Sequence, residues 1–274
     1  MAETSKPSEF PDFENPPVIE VVCGVQFDEA ASYHATTFGN FWQRVRHDYP
    51  TVEDKPPLAS VFERSKLVPQ ALKAEITEGP IFPRVFLVHR NPNWLIQLQR
   101  DRFLHNWRKI EENDPYPRYP TVFAQFRHAW EQFEEFWVES EMGELNINQL
   151  EVTYINHIPF GEGWADLSEI GRVFRDLQWQ GDLRFLPKPE SLGWHMSFLL
   201  PEGFGRLHVS VKQGVRQRDN NQVLLCELTA RGMPHASDSR ALAAWFGMGR
   251  EWIVRGFKDL TGACMHDHWG LGST

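Results

Sequence analysis

The sequence has few cysteines and no long apolar run. Only three of its 274 residues are cysteines, and Cys23, Cys226 and Cys264 show no paired spacing. This usage argues against a disulfide-stabilised scaffold and fits a reducing compartment, so we expect a cytoplasmic protein. No stretch approaches the roughly eighteen apolar residues of a membrane helix, and the polar opening does not resemble a signal peptide. The sequence therefore predicts no membrane association.

The motifs of several common enzyme classes are also missing. The chain contains no G-x-S-x-G turn, no G-x-x-x-x-G-K-[ST] loop, no H-E-x-x-H pair and no C-x-x-C pair. The formal net charge of −9 argues against a protein whose whole surface grips nucleic acid. We therefore predict no catalytic residue and no cofactor, and we favour a binding protein over an enzyme.

The elements that periodicity predicts follow one order in both halves of the chain. After a flexible arm over residues 1–15, the first unit covers residues 16–145, with a strand at 18–27, a short helix at 38–45, strands at 58–62, 84–89 and 94–99, and an amphipathic helix at 121–139. The second unit covers residues 146–274, with a strand at 149–158, a short helix at 167–174, strands at 194–200, 206–211 and 222–229, and a helix from 239 to 260.

This order predicts an α+β fold of two tandem strand–helix–three strands–helix units. Such units favour mainly antiparallel sheets with the long helices packed on one face, and the two units could fuse into one domain. Short sequence matches support an internal duplication, namely Ile19-Glu20-Val21 with Leu150-Glu151-Val152 and Gln97-Leu98 with Glu227-Leu228. Chance recurrence of common motifs is the alternative.

A cluster of basic and aromatic residues follows the third predicted strand. Eight Lys or Arg accompany four Asp or Glu between residues 84 and 128 of an otherwise acidic chain. Guanidinium groups bind phosphate or carboxylate, and aromatic rings stack on bases. We therefore predict a site for an anionic, nucleotide-like ligand at Arg100, Arg102, Asn106, Trp107 and Arg108. The alternative is that these arginines neutralise residues 131–169, which hold ten Asp or Glu and no Lys or Arg.

Two other groups of residues could carry chemistry. Cys264, His266 and His268 are possible zinc ligands, which alternate along an extended segment, but no fourth ligand is evident and we predict no metal. Glu20 and Glu151 lie in predicted strands among apolar neighbours, where a carboxylate could act as a general acid or base. These two residues carry the enzyme alternative.

Several stretches are similar to a known family. They are Pro17-x-x-Glu20, R-D-R-F-x-x-N-W-R from Arg100 to Arg108, Tyr116-x-x-Tyr119, E-x-x-Y-I-N from Glu151 to Asn156, and Trp269-Gly270. Through them the chain resembles a sporadically distributed family of uncharacterised bacterial and archaeal proteins of about this length. The resemblance implies an accessory trait, such as a defence or stress module, and brings no catalytic residue or substrate with it.

The predicted function is a non-catalytic cytosolic binding or sensor module for an anionic ligand or a protein partner. Two alternatives stay open at this point. One is an enzyme on a small or nucleotide-like substrate, and the other is an interaction protein that uses its acidic helix surface. The sequence does not indicate the oligomeric state.

Overall fold

Nine strands form one continuous sheet in the computed structural model, which describes residues 10–30, 34–59, 63, 84–179, 185–236 and 238–272. The strands are β1 (Val18–Phe27), β2 (Thr51–Lys55), β3 (Arg84–Val88), β4 (Trp94–Gln99), β5 (Arg102–Arg108), β6 (Ile147–Pro159), β7 (Gly193–Leu199), β8 (Arg206–Arg216) and β9 (Asn221–Gly232). The α-helices of these described ranges are α1 (Ala35–Val45), α2 (Tyr119–Glu139), α3 (Ile170–Val173), α4 (Ser239–Leu260) and α5 (Ala263–His268).

The strand order in the sheet is β2-β3-β4-β5-β1-β6-β9-β8-β7, and all neighbouring strands are antiparallel. The prediction of an α+β protein with a largely antiparallel sheet is therefore confirmed. Strand β1 lies at the centre, between β5 and β6. Its β-branched residues suit this place, because a central strand is covered on both faces.

The two long helices cover one face of this sheet. Antiparallel partners point to the same side of a sheet, so Phe103, Val25 and Leu150 share a face. The ring centre of Phe103 lies 5.1 Å from that of Phe133 in α2. Helix α4 packs beside α2, with the rings of Phe126 and Phe246 5.0 Å apart. The aromatic stripes of both helices thus form a core with the apolar face of the sheet.

The first half contains one strand more than predicted. Strand β2 was not predicted, because its sequence Thr-Val-Glu-Asp-Lys is mostly polar and exposed. The predicted strand at 58–62 is wrong at Leu58, which lies outside the strands, while residues 60–62 fall outside the described ranges. The basic cluster from Arg102 to Arg108 forms strand β5 instead of following the last strand.

The end of the predicted flexible arm is packed in the structure. Phe13 is buried and forms a β-bridge with Leu271 near the other end of the chain. Residues 1–9 of the predicted arm lie outside the described ranges. Among the helices that are described, none has the length and apolar character that crossing a bilayer requires.

The aromatic core predicts the effect of one truncation. Phe126 is almost fully buried between Phe103 and Phe246. We expect Phe126→Ala to lower the free energy of unfolding by about 3–5 kcal/mol, because it leaves a cavity in a packed aromatic cluster. Denaturant unfolding would measure this loss, with Val138→Ala as control because Val138 is exposed in the same helix. Equal stability of the two variants would contradict the assignment of this core.

Candidate functional site

The sheet face opposite α2 and α4 is lined by polar side chains. On β5 the even-numbered residues Arg102, Asn106 and Arg108 point to this face, while Phe103 and Trp107 point to the helices. Many of these polar side chains are nevertheless buried: Gln26, Gln97, Gln99, Arg102, Asn106, Gln149, Thr153, Arg206 and Thr229. Buried polar groups require hydrogen-bond partners, so this polar face is a built feature of the fold.

A chain of hydrogen bonds crosses four strands of the polar face. Arg84 Nη1 donates to Gln97 Oε1 (2.8 Å), and Gln97 Nε2 donates to Asn106 Oδ1 (2.8 Å). Asn106 Nδ2 then donates to Glu20 Oε1 (2.5 Å). Each amide donates on one side and accepts on the other, so the chain has one direction, from a guanidinium to a carboxylate.

Glu20 is the titratable group at the end of this chain. Burial raises its pKa, against the hydrogen bond from Asn106 and the positive charge of Arg108, its cross-strand partner. On the other side of the sheet centre, Glu151 faces Arg231 and forms an ion pair with it, Oε2 to Nη2 2.6 Å. The two carboxylates identified from the sequence therefore both lie on the polar face, each opposite an arginine.

A row of long polar side chains runs across the same face. Gln99 pairs with Arg102, Arg102 with Gln26, and Gln26 with Gln149. Arg84 extends the row on β3, because the pairing of its neighbour Val85 with Leu98 sets Arg84 beside Gln99. The row thus crosses β3, β4, β5, β1 and β6.

Three nitrogen atoms of this row are buried without a hydrogen-bond partner among the described residues. They are Nε of Arg84, Nε of Arg102 and Nε2 of Gln26. Arg102 also donates from Nη2 to Gln26 Oε1 (2.9 Å), and its nearest carboxylate in the described ranges, Asp101, is 4.0 Å away. Burial lowers the pKa of Arg84, and the positive charge of Arg102 lowers it further. The guanidinium groups of Arg84 and Arg102 therefore repel each other, and each has an Nε–H group without an acceptor among the described residues.

Two residues of the connection between β2 and β3 contact the polar face. The backbone of Leu58 forms two hydrogen bonds with the amide of Gln99, 2.8 and 2.9 Å long. Glu63 accepts hydrogen bonds from Arg206 (2.9 Å) and His208, and its backbone N–H donates to Gln149 (2.9 Å). Burial opposes ionisation of Glu63, but these bonds outweigh it and lower the pKa of the carboxyl.

His208 joins Glu63 to a serine. Ser197 Oγ lies 2.9 Å from His208 Nδ1, and His208 Nε2 contacts the Glu63 carboxylate. Serine, imidazole and carboxylate are the groups of nucleophilic hydrolases, where the serine usually contacts Nε2. Here the two ring nitrogens are exchanged, since the serine contacts Nδ1 and the carboxylate contacts Nε2, and Ser197 lies in a regular strand.

The structure separates the five residues predicted to bind a ligand. Arg102, Asn106 and Arg108 lie together on the polar face. Trp107 lies on the opposite face, 2% exposed and packed against Tyr116, so its ring cannot stack on a ligand held by Arg102. Arg100 lies in the turn before β5, where it pairs with Glu29 (3.2 Å).

The acidic run finds other partners than those predicted. Glu135 and Glu139 pair with Arg44 of α1, and Glu151 pairs with Arg231. Neutralisation of the α2 carboxylates by Arg102 and Arg108 is excluded by geometry, because these arginines point away from that helix. This part of the alternative could not be judged from the sequence, because the sequence does not show which side each residue of β5 faces.

Cys264, His266 and His268 lie in helix α5 and not in an extended segment. Cys264 Sγ contacts the carbonyl oxygen of Arg172, His266 contacts Thr261, and His268 lies 3.4 Å from Glu162. The described residues contain no group of three or more ligands placed to hold a metal ion.

Gln26, Arg84 and Gln97 were not predicted as site residues from the sequence. Each is a polar residue in a predicted strand, and alternation of polar and apolar residues is the pattern of an exposed face. That pattern does not distinguish a solvated face from a buried, hydrogen-bonded one. Comparison of the chain with protein-family models and with curated proteins finds no match in either case.

Glu20 gives a pH-dependent prediction. A carboxyl whose pKa is raised on folding contributes stability below its unfolded value, and that contribution is lost as the pH rises through the folded value. We therefore expect Glu20→Gln to melt at a higher temperature than the wild type near pH 8, with the difference vanishing below about pH 4.5.

Glu151→Gln is the matched control. It removes the ion pair with Arg231, so it should lower the melting temperature near pH 8. Thermal melts of both variants across this pH range make the comparison. A Glu20→Gln variant that melts below the wild type near pH 8 would show that Glu20 is stabilised as the anion.

Proposed function

We propose that this protein is a binding module for an anionic, nucleotide-like ligand, and that the polar face of its sheet holds the anion. The observation that carries the proposal is the pair Arg84 and Arg102. The buried Nε–H group of each has no acceptor among the described residues. A phosphate or carboxylate would satisfy these donors and relieve the repulsion between the two guanidinium groups. Arg84, at the β3 end of the row, is only partly buried.

The proposed site keeps Arg102, Asn106 and Arg108 from the sequence prediction and adds Arg84 and Gln26. Asn106 and Gln97 hold Arg84 in place through the hydrogen-bond chain. Trp107 and Arg100 are not part of the proposed site, because Trp107 packs in the core and Arg100 pairs with Glu29. Ligand specificity then rests on amides and guanidinium groups held by the strands.

We also propose that the chain arose by internal duplication. The order on one side of the central pair is β1-β5-β4-β3, and on the other side it is β6-β9-β8-β7. Glu20 opposite Arg108 corresponds in this scheme to Glu151 opposite Arg231. The match between Gln97 and Glu227 has no such support, because they lie in β4 and β9, which do not correspond.

The cellular setting is part of the same proposal. A cytoplasmic module fits buried Cys23 and Cys226, whose thiols burial keeps protonated by raising their pKa. A defence or stress role and membership of the family that the sequence resembles rest on that resemblance alone.

The proposal predicts the effect of removing each arginine. With AMP as the probe and adenosine as its uncharged counterpart, titration calorimetry should detect AMP binding only. Arg102→Ala and Arg84→Ala should each weaken AMP binding by about tenfold to a hundredfold, the effect of losing a charge-assisted hydrogen bond. Arg44→Ala is the control, because Arg44 pairs with Glu135 and Glu139 on the helix side.

The same variants separate a site from a structural network. Arg102 is 7% exposed, so salt should weaken binding less than it does for an exposed cluster. If Arg102→Ala lowers the melting temperature and neither AMP nor inorganic phosphate binds the wild type, the arginines are structural. The exposed carboxylates of α2 would then favour an interaction protein.

A second candidate is an enzyme on a small substrate with Glu20 as its general acid or base. The raised pKa of Glu20 beside Arg108 favours it, since catalytic carboxyls are often shifted in this direction. Turnover of a nucleotide substrate that is lost in Glu20→Gln but kept in Glu151→Gln would establish this role. Loss of AMP binding in Glu20→Gln, without loss of turnover, would not establish it.

A further inference from the structure

The two ends of the described chain meet at one end of the sheet. Glu14 N donates to Gly270 O (2.9 Å), Asn15 N to Trp269 O (3.0 Å), and Gly272 N to the carbonyl oxygen of Asp12 (3.0 Å). The ring of Phe13 packs edge-on against those of Phe257 and Trp269. These contacts build a wall from residues that are distant in sequence.

This wall bounds a cleft of about 640 Å³. The other sides are the start of β1, the loop after β5, the end of β6 and the hairpin between β8 and β9. A volume of this size is typical of small-molecule sites. The cleft shares Pro16, Val18, Tyr116 and Arg118 with a deeper cavity of about 70 Å³ that reaches α4. None of the residues proposed above to bind AMP lines either space.

Three residues that line these two spaces each carry a buried nitrogen atom without a hydrogen-bond partner among the described residues. Trp269 lines the cleft and is 2% exposed, and its Nε1–H has no acceptor among the described residues. His157 lines the cleft and Arg250 lines the deeper cavity, and Nδ1 of His157 and Nε of Arg250 are also buried without described partners. Such atoms are rare in native proteins and require an explanation, and a ligand rich in acceptors would provide one.

Three of the charged side chains that line the cleft have close hydrogen-bond partners, while Glu14, Glu162 and Lys109 also line it. Arg118 binds Asp12 and the carbonyl of Phe13, and Arg216 forms two hydrogen bonds from Nε to Asp219. Asp114 accepts from two backbone N–H groups and Asn93. Among the described residues Arg218 forms an ion pair with Glu112 at 4.0 Å, and it also interacts electrostatically with Asp219. The Glu112 side chain is 81% exposed, so water screens this ion pair. Arg218 thus keeps much of its charge for a ligand.

Aromatic rings form the inner walls. Tyr116 lines both spaces, and its hydroxyl lies 3.1 Å from that of Tyr154. Tyr119 and Phe13 line the deeper cavity. Burial raises the pKa of Tyr116 to about 12, so its hydroxyl stays neutral. A flat apolar group can therefore contact these rings without meeting a phenolate.

We propose that this cleft binds a small aromatic carboxylate, with its ring against Tyr116 and its carboxylate near Trp269 Nε1 and Arg218. The ring would occupy the apolar interior, and the carboxylate would accept from the buried indole N–H. We expect the negative charge of the ligand to strengthen binding. Among the arginines of the rim, Arg218 has the weakest ion pair with a carboxylate. The proposal does not depend on the anion site of the sheet face.

The test measures the binding of 2-naphthoate, the probe, to the whole chain by titration calorimetry. Trp269→Phe keeps the packing of the ring and removes the N–H, and Arg218→Gln removes the charge at the rim. Each should weaken binding about tenfold or more, the effect of losing one hydrogen bond to a charged group. Trp252→Phe is the control, because Trp252 lines a different groove beside β7 and β8. The neutral analogue 2-naphthylmethanol should bind at least about tenfold more weakly than the acid.

Each of three results would overturn the proposal, and the first two concern the wild type and the tryptophan variants. One is the absence of saturable 2-naphthoate binding to the wild type, and the other is equal affinity in Trp269→Phe and Trp252→Phe. Because Arg218 is partly exposed, Arg218→Gln should fold even if Trp269→Phe does not, and unchanged affinity in Arg218→Gln would also reject it. Arg102→Ala should leave 2-naphthoate binding unchanged, so failure at one site is distinguishable from failure at the other.

Discussion

The pairing of β1 with β6 is the contact on which the rest of the molecule depends. It joins the strands of the first half to those of the second, from Val18–Asn156 to Phe27–Ile147. Without it the sheet would divide into two smaller sheets, each with an unpaired central edge. It also sets which faces are shared, because a register shift of one residue would exchange the apolar and polar sides of a whole half. The two long helices can form one core only because both halves present their apolar residues to the same side.

The polar face is unusual because it is buried as well as polar. An antiparallel sheet with helices on one side commonly presents its other side to water. Here Asn106 and Gln149 are almost fully buried, and Leu58 and Glu63 hydrogen-bond to the face. The hydrogen bonds of Gln97, Gln99 and Asn106 fix the orientation of these three amides and make this part of the face rigid. A rigid array of donors is suited to recognising a ligand by its shape and charge.

The sequence was informative wherever one periodicity was strong. Phe126, Trp130 and Phe133 recur at helical spacing, and α2 forms where they predict it. The second half gave clear strands because its turns contain glycine, proline and asparagine. Strand β5 was not predicted. Six of its seven residues are buried, so its two faces differ in polarity but not in burial. Assigning Trp107 and Arg102 to opposite sides required the pairing with β1, which is a long-range contact.

The candidate site was predictable only in part for the same reason. Arg102, Asn106 and Arg108 are close in sequence, so local composition was enough to single them out. Arg84 and Gln26 reach the same place from β3 and β1, and nothing in their own neighbourhoods marks them. A site assembled across strands depends on strand order, and an antiparallel sheet can be ordered in many ways from the same set of strands.

The contact between residues 12–15 and 269–272 makes the described chain closer to a ring than to a line. A short linker could join its two ends without crossing the sheet, and new ends could be opened at an exposed turn such as Asn91–Asn93. Such a permuted chain would keep every strand pairing while changing which strands are synthesised first. It would show whether the central β1–β6 pair must form before the outer strands add to it, or whether each half folds and then docks.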